Sequence, residues 1–281
     1  MSKAIYQPKG RAREYSPWAC NLYIGCPNNC TYCFNKRGVL GSIMGGPNAN
    51  LKKCFKDEED AYLTFVSELS KYRKDILRDG GLLFSFTSDP CLPKTKDLTF
   101  RCVAYAVLQE VPCMVLTKRA DWILDKPEMS KAMSVFGDLL AVGFTLTGCD
   151  ELEPGASVTS SNLKRIEAMR LLHTAGVKTF ASIEPVIDFE KSFEMIRRSA
   201  PWCDHYKVGL LSGDRHAYDR YLMPYDLETF VFDVNEFLTE QKKPVYWKES
   251  VKAAIGHPIE DPCCVDETFN MFKQNSIWKP R

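Results

Sequence analysis

Nowhere in its 281 residues does the chain gather the ~20 consecutive apolar residues that a membrane-spanning helix needs. Its opening, Met1-Ser2-Lys3-Ala4-Ile5-Tyr6-Gln7-Pro8, lacks the apolar core of a secretory signal, so the expected location is the cytoplasm. An excess of either charge is missing too. Lys and Arg number 37 against 36 Asp and Glu, which argues against a protein coated in nucleic acid. Internal repeats, low-complexity tracts and long linkers are absent, and a 45% hydrophobic share beside 26% charge excludes a disordered chain. Histidine is scarce, with four in all, and the spacing Cys-x2-Cys occurs once, at Cys30 and Cys33. The paired Cys and His arrays of a structural zinc module are therefore missing.

What the chain does have is cysteine, 12 residues of it. In a reducing compartment clustered cysteines bind metal or do chemistry, whereas isolated ones in apolar runs, such as Cys102 and Cys113, pack as small hydrophobes. Cys26, Cys30 and Cys33 are clustered; Cys263 and Cys264 are adjacent, without the spacing of a second cluster site.

Short apolar runs at 21–25, 82–86, 113–117, 139–146, 179–185 and 205–210 read as strands buried on both faces, with a further one at 244–247. Between them lie helical patterns at 57–78, 97–108, 160–174, 189–200 and 227–240. In the first of these Tyr62, Phe65, Val66, Leu69, Tyr72 and Ile76 share a face, Asp57 suits the N-cap and Gly80-Gly81 stops the helix. Regular alternation of strand and helix predicts an α/β fold: a partial (β/α)6 barrel of the TIM type with parallel strands. The expected division is a barrel with its N-terminal arm over 1–211 and a helical extension over 212–281 packed on it. In such barrels chemistry sits at the C-terminal strand ends.

The segment from Cys20 to Asn35 follows the first predicted strand on a turn-rich loop. Three thiolates so close together suit a zinc ion, an iron–sulfur cluster with one iron left open, or a purely structural role. The spacing Cys26-x3-Cys30-x2-Cys33, with Tyr32 before the last cysteine, resembles the signature of the radical S-adenosylmethionine superfamily. The flanking Asn21-x-Tyr23-x-Gly25 resembles its spore photoproduct lyase-like branch. That resemblance extends over roughly residues 15–215 on the strand pattern. It implies one 4Fe-4S cluster on Cys26, Cys30 and Cys33, S-adenosyl-L-methionine on the open iron, reductive cleavage to a 5′-deoxyadenosyl radical, and hydrogen abstraction from an unidentified substrate. It also implies an electron donor such as a flavodoxin or ferredoxin.

Polar residues at the other strand ends are candidates for holding the cofactor. Ser88 and Asp89 would meet its ammonium, Lys118 its carboxylate, Thr145 its ribose, and Glu184 the ribose or the substrate, with Tyr32 alongside. For catalysis itself only Cys91 and Lys207 stand out. The competing reading is a non-catalytic iron–sulfur or zinc protein, which would have no use for Ser88, Asp89 and Lys118. Within the enzyme reading, a nucleic-acid lesion lyase is the second option. Against it, Phe86 stands where the branch's lesion-repair member is expected to carry a hydrogen-donating cysteine. The arm with Lys3, Lys9, Arg11 and Arg13 near Tyr6, Tyr15 and Trp18 could contact nucleic acid, although a solvated tail is the simpler expectation. Trp247-Lys248-Glu249 forms another polar–aromatic cluster, with no assigned purpose.

Overall fold

Strands that are apolar on alternate residues on both faces can be satisfied only if each face meets its own core, and that requirement shapes this molecule. The computed structural model describes residues 4–36, 38–153, 159–211 and 226–273. Its strands are β1 (Ile5–Tyr6), β2 (Ala19–Cys20), β3 (Tyr23–Ile24), β4 (Asn50–Leu51), β5 (Leu82–Phe84), β6 (Cys113–Thr117), β7 (Leu140–Thr145), β8 (Lys178–Val186), β9 (His205–Leu210) and β10 (Val245–Trp247). The main sheet runs β1-β2-β5-β6-β7-β8-β9-β10, with β1 antiparallel at one edge and every other pairing parallel.

Helices α1 (Gly38–Met44), α2 (Glu58–Asp79), α3 (Lys96–Leu108), α4 (Asp121–Leu124), α5 (Glu128–Ser134), α6 (Asn162–Thr174), α7 (Phe189–Ser199), α8 (Leu227–Glu240) and α9 (Glu249–Ile255) alternate with the strands. Asp57 caps α2 by accepting from the Asp60 amide at 2.8 Å, and Gly80 ends it in the left-handed region. Leu82, Phe84, Cys113, Val115, Leu140, Val142, Phe144, Ala181 and Ile183 point into the large core under the helices. The residues between them, Leu83, Met114, Ala141 and Phe180, form a separate inner cluster, joined by Met271 and Phe272 of the C-terminal segment. This period of two is what a barrel wall requires.

The fold class is the expected one, with two corrections. Residues 21–25 are not the first barrel strand: β2 ends at Cys20, and β3 pairs antiparallel with β4 in a separate ribbon. The cause is Asn21, whose side-chain oxygen accepts from the amide of Phe86 and the hydroxyl of Ser85, both at 2.7 Å, and so caps the strand end. Nor is the region beyond 211 merely packed on the barrel. β10 extends the parallel sheet, with Val245 opposite Tyr206 and Trp247 opposite Val208, which makes seven parallel strands. Residues 212–225 and 274–281 of the expected extension lie outside the described residues. No helix among the described residues is long and apolar enough to cross a membrane.

Phe180 is almost fully buried in the small inner cluster, where few side chains are available to collapse into the space it fills. Phe180→Ala is expected to cost about 3–5 kcal/mol of stability, measured by urea unfolding.

Candidate functional site

The C-terminal strand ends open into a cavity of about 550 Å³. The cysteine loop forms one wall. Gly25 leads into it with φ of +78°, and a Cβ there would lie 2.3 Å from the carbonyl oxygen of Asn48, so only glycine fits. The Cys26 amide then donates to Gly46 at 2.9 Å, and the Cys33 amide to Cys30 at 3.2 Å, which coils the loop tightly. Cys26, Cys30 and Cys33 all line the cavity as free thiols. Among the described residues no three His, Cys, Asp or Glu side chains stand ready-gathered as a metal site. Burial, then Asp89, pushes the Cys26 thiol up to about 12, and burial also raises Cys30.

Asp89 is the fixture of this wall. One carboxylate oxygen accepts from the Thr117 hydroxyl at 2.6 Å and the Cys91 amide at 2.9 Å. The other accepts from the Asn28 side chain at 2.8 Å and the Lys118 amide at 2.9 Å. Held by these four protein donors, Asp89 positions the loop, and it also lines the cavity. Its neighbour Ser88 carries the open valence. The Ser88 hydroxyl and the side-chain oxygens of Asn28 and Asn35 are buried without hydrogen-bond partners, and all three residues line the cavity.

Lys118 reaches the mouth from the end of β6. Its ammonium lies 5.4 Å from the centre of the Tyr32 ring and pairs with no described carboxylate. Behind it runs a buried relay. Tyr32 donates its hydroxyl to Glu153, which is paired with Arg165. Arg165, fully buried, also donates to the carbonyls of Thr145 at 2.8 Å and Lys118 at 3.1 Å. Burial pushes the Glu153 carboxyl up, but Arg165 and Lys118 outweigh it and hold it below the ordinary range. Thr145 is buried at the cavity wall.

The opposite wall belongs to β8, the residue after β10 and the N-terminal arm. Glu184 pairs with Lys248 at 2.6 Å and accepts from the Tyr15 hydroxyl, which also meets Ser182 at 2.5 Å. Burial and then Glu184 hold the Tyr15 phenol well above its ordinary range. Gly209 makes room for this group, since a Cβ there would come within 2.9 Å of both the Glu184 carboxylate and the Lys248 stem.

Three expectations fail here. Cys91 is fully buried behind Asp89 and does not line the cavity, and burial holds its thiol well above the ordinary range. Lys207 does not line it either; its ammonium donates to the carbonyls of Glu14 at 2.8 Å and Tyr15 at 3.0 Å, making it an anchor for the arm. The arm is no solvated tail: Pro8, Lys9, Arg11, Ala12 and Tyr15 form part of the cavity wall, while Trp18 is core and Lys3 lies outside the described residues.

Sequence reasoning missed Glu153, Arg165, Tyr15 and Lys248 as site residues. An arginine beside Ile166 in the apolar stripe of α6 was the available signal for the first pair, and the Trp247-Lys248-Glu249 cluster the signal for the last.

No protein-family model matches the chain. It is similar to the uncharacterized protein MJ0683 of Methanocaldococcus jannaschii, at 24% identity over 202 residues, 69% of this chain and 70% of that protein. Among solved structures it is similar to a spore photoproduct lyase variant, with TM-score 0.57 and 14% identity over 86% of this chain and 78% of the other. A variant of that lyase with bound AdoMet and dinucleoside spore photoproduct gives 0.55 and 18%, over 79% of this chain and 66% of the other. Streptococcus suis SuiB bound to S-adenosylmethionine gives 0.52 and 11%, over 86% and 53% respectively. The resemblance read from the cysteine spacing is thereby borne out as a shared fold.

Arg165→Met would strand the Glu153 carboxylate and two buried carbonyls. A loss of about 3–5 kcal/mol in denaturant unfolding is expected, and Arg165→Lys should restore little of it. Lys207 supplies a pH test. Burial, then Lys248, pushes it down from 10.5 to about 7, so between those values the unfolded chain binds a proton that the folded chain lacks. Stability from this group therefore rises with pH across that window, by at most about 1.4 kcal/mol per pH unit. Lys207→Met should flatten that part of the stability profile.

Proposed function

We propose that this chain is a radical S-adenosylmethionine enzyme. One observation carries the reading. Three cysteines on a single coiled loop line the same cavity as Ser88, Asn28 and Asn35, residues that each hold a buried side-chain oxygen without a hydrogen-bond partner. A site of thiols alone would not need the second set; a cluster with an organic ligand on its open iron uses both. The residues fit such a pair of groups. Cys26, Cys30 and Cys33 would hold the cluster, and Ser88, Lys118 and Thr145 would hold the cofactor beside Tyr32. When bound, the two together would supply a 5′-deoxyadenosyl radical able to take hydrogen from a substrate.

The remaining work falls to the protein's own side chains. Asp89 ties the cysteine loop to the ends of β5 and β6, and the Tyr32–Glu153–Arg165 relay fixes the ring beneath Lys118. The aromatic walls of Tyr15, Tyr32 and Phe86 limit water around the reacting atoms, with Tyr15 and Phe86 in edge-to-face contact at 6.0 Å. The Glu184–Lys248 pair and the Tyr15 hydroxyl face the part of the cavity left for substrate. The electron would come from a small carrier such as a flavodoxin or ferredoxin, and the substrate's own chemistry stays open between small molecule, peptide and nucleotide.

Reconstituted with iron and sulfide without oxygen, the protein should bind about four irons per chain. Reduced in the presence of S-adenosylmethionine, it should release 5′-deoxyadenosine. Cys30→Ala should abolish both. Ser88→Ala should keep its iron and bind the cofactor about fivefold more weakly, the loss of one hydrogen bond. A stoichiometric zinc ion in the purified protein, with no 5′-deoxyadenosine under any reductant, would sink the proposal.

A further inference from the structure

Beyond α9 the chain returns along the outer edge of β10. The Val245 amide donates to Cys263 and the Val265 amide to Val245, each at 2.9 Å, and Cys264 bridges Val245. In extended backbone, neighbouring side chains point to opposite faces. Here both thiols instead approach one atom. The sulfurs of Cys263 and Cys264 each lie 3.6 Å from the side-chain oxygen of Asn235, on α8. That oxygen also accepts from the Trp247 indole at 2.9 Å, and the Asn235 amide nitrogen is held by Asp261 at 2.9 Å. A rigid acceptor thus gathers two adjacent thiols on one side of the chain. Cys263 is fully buried and Cys264 half-buried, so Cys264 is the more accessible residue of the two.

We propose that Cys263 and Cys264 form a reversible redox site that closes to a vicinal disulfide with a hydroperoxide as oxidant. The Cys264 sulfur takes one peroxide oxygen, the O–O bond breaks, and water leaves with Cys264 as its sulfenic acid. The Cys263 sulfur then displaces the hydroxyl, which departs as a second water with the Cys263 proton, and the S–S bond forms. Two thiols are oxidised and one hydrogen peroxide is reduced to two waters. The two thiols are coupled: a hydrogen bond from Cys264 holds Cys263 below its ordinary range and raises Cys264 in turn, so accessibility selects Cys264 for the first step and Cys263 is suited to the second, attacking one. Oxidation removes two donors from Asn235 and leaves Trp247 as its remaining donor there. Trp247 is directly followed by Lys248 of the cavity wall, so the pair is connected to that wall through Asn235 and Trp247. The proposal stands independently of the function proposed above.

The sequence makes the test clean, because trypsin cutting after Lys252 and Lys273 yields a peptide holding Cys263, Cys264 and no other cysteine. The full chain as purified, without cluster reconstitution, is treated with a slight excess of hydrogen peroxide, unfolded, alkylated with iodoacetamide and digested. The peptide should appear without alkyl groups and two hydrogens lighter, and prior dithiothreitol should return it doubly alkylated. In Cys263→Ser, dimedone should trap Cys264 as the sulfenic acid; in Cys264→Ser, the sheltered Cys263 should stay alkylatable after the same treatment. A doubly alkylated peptide after peroxide, or one carrying sulfinic or sulfonic acid, would overturn the assignment. So would oxidation of Cys263 in the Cys264→Ser protein.

Discussion

The carboxylate of Asp89 is the interaction on which the site depends. It joins three pieces of chain that sequence separates: the cysteine loop through Asn28, the turn after β5 through Cys91, and the end of β6 through Thr117 and Lys118. Hydrogen bonds to a charged acceptor contribute about 1.5–3 kcal/mol each, more than neutral ones, so a short loop is held without a hydrophobic core of its own. While Asp89 is committed to this task, the adjacent Ser88, which lines the cavity, keeps a buried hydroxyl without a protein partner.

Two charged pairs flank that fixture, Glu153 with Arg165 on one side and Glu184 with Lys248 on the other. Buried ion pairs are weak sources of net stability, because desolvation offsets most of their attraction. What they give here is orientation. Each carboxylate also accepts a tyrosine hydroxyl, Tyr32 in the first case and Tyr15 in the second, and those rings form part of the cavity wall. Opposite walls are therefore built on one plan, a cation–carboxylate pair that fixes an aromatic face.

Most of the barrel was legible because its strands and helices carry strong local signals. Residues 113–117, 205–210 and 227–240 form the elements their patterns predict, to the residue. Residues 21–25 misled because Tyr23 and Ile24 are as apolar as a barrel strand; only the long-range bond from Asn21 to Phe86 diverts the chain. The cysteine loop was legible as a cavity wall since the close spacing of Cys26, Cys30 and Cys33 is local. The relay was not, since Glu153 and Arg165 look like surface residues until a helix places them face to face. Cys91 illustrates the reverse error: its place next to a functional motif said nothing about which way the thiol points.

The arm between β1 and β2 has a consequence for how the molecule comes into being. Glu14 is bonded to the amide of Glu249, 235 positions away, and Tyr15 to Ser182, 167 positions away. Contacts of such span close large loops and slow folding. During vectorial synthesis the arm and the cysteine loop, complete by about residue 46, are both made well before their partner wall at Lys248. The cavity these thiols line is therefore closed only once Lys248 has been made and has paired with Glu184.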